Sequence, residues 1–121
     1  MDRRTVLAEE GTVSYWVSFV SDDEKYEFWS ANHTSNVAPM WTRALGAPLY
    51  EVIKSTPDLT DLSVKLAMAV IYMEQNSDIF KDMEPTNGWG NYQGALKFLK
   101  DILNMTYIFR GAAGVKVHVS H

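Results

Sequence analysis

The chain of 121 residues contains no cysteine. This absence excludes disulfide bridges, cysteine-based zinc sites and thiol nucleophiles, and it fits a reducing compartment such as the cytoplasm. No apolar run approaches the roughly eighteen residues that a membrane span needs. The start of the chain carries Asp2, Glu9 and Glu10 where a signal peptide would have an apolar stretch. We therefore expect a cytoplasmic protein that does not insert into a membrane.

Basic residues are scarce, because 11 Lys and Arg stand against 15 Asp and Glu, which gives a formal net charge of −4 at pH 7. Non-specific binding to DNA or RNA depends on clustered Lys and Arg, so this balance argues against a general nucleic-acid-binding protein. Histidine is scarce too. His118 and His121 stand three residues apart on a predicted strand end, where their side chains face opposite sides. We expect no metal and no cofactor.

Apolar side chains are plentiful, with 46% hydrophobic and 12% aromatic residues. A chain of this length buries roughly two-thirds of its unfolded surface when it folds, so a single core can support it. The sequence shows no repeat, low-complexity tract or linker. We therefore expect one domain that comprises residues 1–121.

Alternating apolar and polar residues predict a small antiparallel sheet. Residues 12–31 show the two-residue period of a half-buried strand, and the polar residues 21–24 interrupt it, which indicates a hairpin. Residues 5–7 are a candidate for a short preceding strand. Valines alternate with polar residues over 115–119 and predict a closing strand that joins the hairpin.

Helical patterns fill the middle of the chain. Residues 39–45 begin with a proline that a first helical turn tolerates, and residues 49–53 form a second short apolar piece. Residues 59–75 are the clearest helix, and residues 79–83 follow as a short turn. One stripe of the clearest helix is apolar, and it consists of Leu62, Leu66, Ala69, Val70 and Met73. Because Val64, Met68 and Ile71 lie off this stripe, we expect the helix to be central, between the sheet and another helix.

A last helix is predicted over residues 92–107, with Asn91 as its N-cap. Its inward side chains are expected to be Leu96, Leu99, Ile102 and Leu103. The whole pattern predicts an α+β fold in which the N-terminal hairpin and the C-terminal strand form a small antiparallel sheet. This sheet would pack against two main helices and short helical turns.

The first candidate site is the polar junction after the predicted hairpin. Asn32, Thr34 and Asn36 supply amide and hydroxyl groups just before a helix, and Trp29 precedes them. Such a junction suits an anionic oxygen or the edge of a nucleobase. The alternative is a simple capping loop, since Asn, Ser and Thr satisfy free N–H groups at helix starts.

The second candidate site precedes the last helix and comprises Asn87, Gly88, Trp89, Gly90 and Tyr92. The glycines permit positive φ and a close approach of a ligand to the backbone. The aromatic rings of this segment offer faces on which a base could stack. The alternative is an Asn-Gly turn whose tryptophan plugs the edge of the core.

Charged and nucleophilic residues near the first segment are few. Arg43 follows it by one or two helical turns and could clamp a phosphate, although an isolated arginine more often covers apolar surface. His33 lies beside Thr34 and Ser35 in sequence, but no nucleophile-elbow pattern surrounds them. The sequence therefore favours binding over hydrolysis.

Two blocks taken together resemble a family of small, mostly uncharacterised proteins of tailed bacteriophages and prophages. The blocks are residues 31–41, with the pattern N-x-T-x-N, and residues 85–92, with the pattern P-x-N-G-W-G-x-Y. The resemblance extends from about Trp29 to Ser120 and includes the following helix and a valine-rich final strand. It implies a small phage protein in the cytoplasm of an infected bacterium, but no established activity or catalytic residue.

Three hypotheses follow for the function. Small non-enzymatic phage proteins often counter host defence, either by sequestering a nucleotide immune signal, such as a cyclic nucleotide or a cyclic ADP-ribose-like molecule, or by blocking a host defence protein. The polar segments with their aromatic rings favour sequestration without catalysis. A nucleotide-processing enzyme is the third hypothesis, although no acid, base or metal set is recognisable. We also expect a homo-oligomer, because a small sheet leaves an open edge or an apolar face.

Overall fold

The chain runs from a β-hairpin through a series of helices to a closing strand. A computed structural model describes residues 14–121, so the expected strand at residues 5–7 lies outside the described residues. In chain order the elements are β1 (Ser14–Ser21), β2 (Glu27–Thr34), a 3-10 turn (Ser35–Val37), α1 (Ala38–Leu45), α2 (Leu49–Ser55), α3 (Leu59–Gln75), α4 (Ser77–Lys81), α5 (Tyr92–Phe109) and β3 (Val115–Ser120). None of the helices in the described part combines the length and the hydropathy needed to cross a bilayer.

The three strands form one antiparallel sheet in the order β2-β1-β3. The turn of the hairpin is closed by the Asp23 carboxylate, which accepts hydrogen bonds from the Ser21 hydroxyl at 2.6 Å and the Lys25 N–H at 3.0 Å. The strand order confirms the predicted hairpin and the predicted closing strand. Together with the helices it confirms the α+β class. Strand β2 is longer than predicted, because it pairs with β1 as far as Thr34, opposite Ser14.

One face of β1 provides the sheet's share of the core. Tyr15, Val17 and Phe19 alternate along the strand and are all buried, as the two-residue period requires. The ring of Tyr15 meets that of Trp41 edge-on at a centroid distance of 5.1 Å. Phe19 stacks on Phe109 near the end of α5 at 5.6 Å. The sheet is thus covered at one end by α1 and at the other by the last turn of α5.

Helix α3 has the predicted bounds, and the predicted apolar stripe of the helix is buried. It packs mainly against α5 and α1. The expectation that α3 is central is wrong, because Val64, Met68 and Ile71 are exposed to 54%, 66% and 52%. Helix α5 covers the stripe on one side only, so the second apolar side of α3 faces outward.

Helix α5 starts at the predicted residue and ends two residues later than predicted. The Asn91 side chain accepts a hydrogen bond from the Gly94 N–H at 2.7 Å, which confirms the predicted cap. Leu99 and Ile102 are buried as expected. The other buried apolar side chains of the helix include Ala95 and Phe98, whereas Leu96 and Leu103, which were expected to point inward, are only partly buried.

Candidate functional site

Two polar segments that contain most of the predicted site residues lie against each other. We call residues 32–37 the first segment and residues 84–91 the second segment. Gly90 has a φ of +98°, and a Cβ added to it would lie 2.7 Å from Val37 Cγ1 and 2.8 Å from Thr34 Cγ2. These distances are too short for real side chains, so only glycine allows the second segment to approach the first this closely.

His33 makes a second contact between the segments and the start of α5. A Cβ on Gly94 would lie 2.9 Å from His33 Cε1, and the imidazole ring also contacts Trp41 and Phe98 at centroid distances of 6.0 and 5.8 Å. The Nε2 atom is buried and has no hydrogen-bond partner among the described residues. Burial lowers the pKa of His33 below its ordinary value. The ring is therefore neutral at pH 7 and packs against Trp41 and Phe98 at the junction of the segments.

The surface of the joined segments carries amide side chains and one indole. Asn32, Asn36, Asn87 and Gly88 are exposed, and Trp89 is 56% exposed. The backbone N–H of Trp89 donates a hydrogen bond to Asn87 Oδ1 at 2.9 Å. This bond closes a turn of the Asx type over residues 87–89. The exposed indole therefore belongs to a short loop whose backbone is fixed by this hydrogen bond.

Several backbone N–H groups that were expected to bind an anion are already paired. The Tyr92 N–H donates to Glu84 Oε2 at 2.8 Å, and the side chain of Asn91 takes the Gly94 N–H. In the first segment, the Asn36 N–H donates to Thr34 Oγ1 at 3.3 Å. The carboxylate of Glu84 occupies the position at the start of α5 that favours negative charge. A phosphate at this helix start would have to displace that carboxylate.

Two of the predicted aromatic residues are not available for stacking a base. Tyr92 is buried, and its hydroxyl donates to the Met73 carbonyl oxygen at 2.9 Å. Trp29 meets Phe19 edge-on at 5.8 Å and lies four residues before His33 on β2, which is about 13 Å along a strand. Trp89 is therefore the open ring of the predicted set.

Arg43 lines a cleft of about 630 Å³ beside the second segment. Residue Met83, which directly precedes that segment, forms one wall, and Pro39 on α1 forms another. Tyr50 also lines the cleft and stacks on His121 at a centroid distance of 3.8 Å. Within the described residues no carboxylate lies within 4.0 Å of the Arg43 guanidinium. The cleft thus combines a cation that has no carboxylate partner among the described residues with a wall of stacked aromatic rings.

The aromatic side of this cleft could not be found from the sequence. Tyr15, Tyr50 and His121 come from β1, α2 and the residue after β3, and nothing in their local patterns distinguishes them from core or surface residues. Burial raises the pKa of the Tyr15 hydroxyl, so this group stays protonated at neutral pH. Among the residues that line this cleft, only Arg43 was predicted from the sequence as a site residue.

In the described part of the chain, no group of three or more His, Asp or Glu side chains is arranged to hold a metal ion.

Comparisons with family models, curated proteins and solved structures found no match. The contact between the first and second segments and the Arg43 cleft are therefore the features of the molecule that bear on its function.

Proposed function

We propose that this protein binds an anionic, base-containing small molecule without converting it, and so sequesters a nucleotide immune signal in an infected bacterium. The observation that carries the proposal is the contact of Gly90 with Thr34 and Val37. This contact sets the segment that holds the exposed Trp89 beside the segment that holds the exposed Asn36. The contact supports the proposal that the Trp89 ring and the Asn36 amide serve one site.

Each part of a nucleotide has a candidate partner among the predicted site residues. The indole of Trp89 can stack on a base, which is worth about 1 to 3 kcal/mol. The side-chain amides of Asn36 and Asn87 carry both donors and acceptors for the edge of a base. Arg43 supplies the charge for a phosphate, since an arginine fork binds two phosphate oxygens at once. The rings of Tyr50 and His121 stack on each other and form an aromatic wall of the same cleft.

The state of His33 supports binding rather than turnover. A general base must reach the proton that it removes, whereas the ring of His33 is packed between Trp41 and Phe98. Its neutral form is favoured by burial. The histidine therefore stabilises the junction of the segments and leaves the bound molecule intact.

Thermal unfolding in the presence of nucleotides tests this proposal. A panel of cyclic mononucleotides, cyclic dinucleotides and ADP-ribose derivatives is expected to contain at least one compound that raises the Tm by mass action. Trp89→Ala, Asn36→Ala and Arg43→Ala should each reduce that rise. Tyr107→Ala and Arg110→Ala are matched controls, because they remove an exposed ring and a cation at the end of α5. Chromatography of the recovered compound should show it unchanged.

A second candidate function is direct inhibition of a host defence protein. The outward side of α3 favours it, because Val64, Met68 and Ile71 form an apolar stripe at helical spacing. In bacteria that carry the targeted defence, this function predicts that Met68→Glu abolishes protection of the phage and that Trp89→Ala does not. The sequestration proposal predicts the reverse pattern.

Self-association is a further part of the proposal. Within the described part of the chain, β2 and β3 each pair with β1 alone, so each leaves an edge that a second copy could extend. Light scattering over a range of concentrations tests this, and a mass of one chain at all concentrations would reject it.

A further inference from the structure

A cleft of about 800 Å³ lies between the corner that joins α1 to α2 and the outward side of α3. We call it the lysine cleft, because Lys54 of α2 and Lys65 of α3 are both part of its wall. The Arg43 cleft is lined by other residues of α1 and α2. The volume of the lysine cleft falls in the range of about 300 to 1,000 Å³ that is typical of small-molecule sites.

The rest of the lysine cleft is mainly apolar. Leu45 and Ala47 come from the end of α1 and the following turn, Val52 comes from α2 and Met68 comes from α3. Met68 is 66% exposed, so the wall that it forms is open to water when the cleft is empty. An apolar group in the cleft would cover this side chain and gain about 25 cal/mol for each Å² removed from water.

Both lysines of the cleft have neutral partners. The ammonium group of Lys65 donates to the Thr56 hydroxyl at 2.9 Å, and that of Lys54 lies 5.4 Å from the centre of the Tyr50 ring. By contrast, Lys97, Lys100 and Lys116 each lie within 3.5 Å of a carboxylate oxygen. Neither contact neutralises the charge of the lysine, so both ammonium groups keep their positive charge.

The charge of the lining sets the charge of the ligand. Glu51 also lines the cleft, so the lining carries two positive charges and one negative charge. We propose that the lysine cleft binds an amphiphile with one anionic head group and a short apolar tail. The head group meets Lys54 and Lys65, and the tail covers Met68 and the apolar wall. Arg43, Asn36 and Trp89, which are proposed to bind the nucleotide, do not line the lysine cleft.

Calorimetric titration with three matched probes tests the assignment. Decanoate carries both the charge and the tail, decan-1-ol carries only the tail, and acetate carries only the charge. We expect decanoate to bind at least about tenfold more tightly than decan-1-ol, and acetate to show no binding. Equal affinities for decanoate and decan-1-ol would overturn the proposal. Decyl phosphate then distinguishes a phosphate head group from a carboxylate.

Variants locate the binding on the protein. The double variant Lys54→Met, Lys65→Met should lose at least about tenfold in affinity for decanoate, whereas Lys97→Met should bind as the wild type does. Met68→Glu places a negative charge at an exposed position of the wall and should also abolish binding, with an unchanged circular dichroism spectrum. Unchanged affinity in both cleft variants would reject the site.

One further variant separates this proposal from the proposed function. Arg43→Ala should retain full affinity for decanoate, because Arg43 is outside the lysine cleft. A loss of decanoate binding in this variant would show that the two clefts are one site and would overturn the assignment. Failure of every nucleotide to bind would leave the decanoate result unaffected.

Discussion

The indole N–H of Trp41 donates a hydrogen bond to the backbone carbonyl oxygen of Ala95 across 3.0 Å in the core. Trp41 lies in the first turn of α1 and Ala95 in the first turn of α5. These are the two helices that follow the first and the second polar segments. The bond therefore ties together the starts of both helices and holds the segments in contact.

Trp41→Phe tests this tie. The variant removes the hydrogen bond and part of a fully buried ring, and we expect the free energy of unfolding to fall by about 1 to 3 kcal/mol. Urea unfolding followed by circular dichroism measures the change. Stability equal to that of the wild type would show that the bond does not hold the helices together.

Gly90→Ala and Gly88→Ala form a matched pair at the second segment. Both glycines have positive φ, at +98° and +78°, so alanine costs about 1 kcal/mol of backbone strain at either position. At Gly88 nothing lies within 4 Å of the added Cβ, whereas at Gly90 the Cβ meets Val37 Cγ1 at 2.7 Å.

We therefore expect Gly90→Ala to be clearly more destabilising than Gly88→Ala in the same urea experiment. The clash also pushes the second segment away from the first, so Gly90→Ala should weaken ligand binding beyond its effect on stability. Equal losses of stability in the two variants would contradict the close contact between the segments.

The regular elements could be predicted because their signals are local. The stripe of α3 and the alternation of Val115, Val117 and Val119 each reflect burial on one side of a single element, and the structure places these elements as expected. The position of α3 was not predictable in this way. The apolar residues on its outward side look the same in the sequence whether a layer of the protein covers them or not.

The candidate site was only partly predictable for a similar reason. The sequence indicated that Asn36 and Trp89 lie before helices, and the contact of their segments agrees with the idea of one region. Whether a particular N–H is free depends on distant partners. Glu84, eight residues before Tyr92, already occupies the start of α5, and Tyr50 joins Arg43 only through the packing of α2.

Asn91→Ala tests the capping of α5. Asn91 Oδ1 accepts a hydrogen bond from the Gly94 N–H at 2.7 Å, and loss of such a cap costs about 1 kcal/mol. Gln93→Ala is the control, since Gln93 is exposed in the same turn and alanine favours the helix. Urea unfolding should show a loss for the first variant and no loss for the second. Equal behaviour of the two would remove the cap as a stabilising feature.

The buried imidazole of His33 predicts how stability depends on pH. Burial lowers the pKa of His33 in the folded state, while in the unfolded state it stays near about 6.5. Above that pH both states are neutral, and the histidine adds no pH dependence. As the pH falls below about 6.5, the unfolded state takes up a proton that the folded state takes up only at a lower pH. The free energy of unfolding must then fall, by up to about 1.4 kcal/mol per pH unit.

His33→Gln isolates this contribution, because the variant retains every other titrating group. Urea unfolding of both proteins at pH 7.5 and at pH 5 gives four free energies. We expect the wild type to lose more stability between the two pH values than the variant does, since Gln cannot take up the proton. The rings of Trp41 and Phe98 that flank the position do not titrate, so they leave the difference unchanged. Parallel pH profiles would mean that the histidine can be protonated in the folded protein, and its ring would then have to reach water at the junction of the two segments.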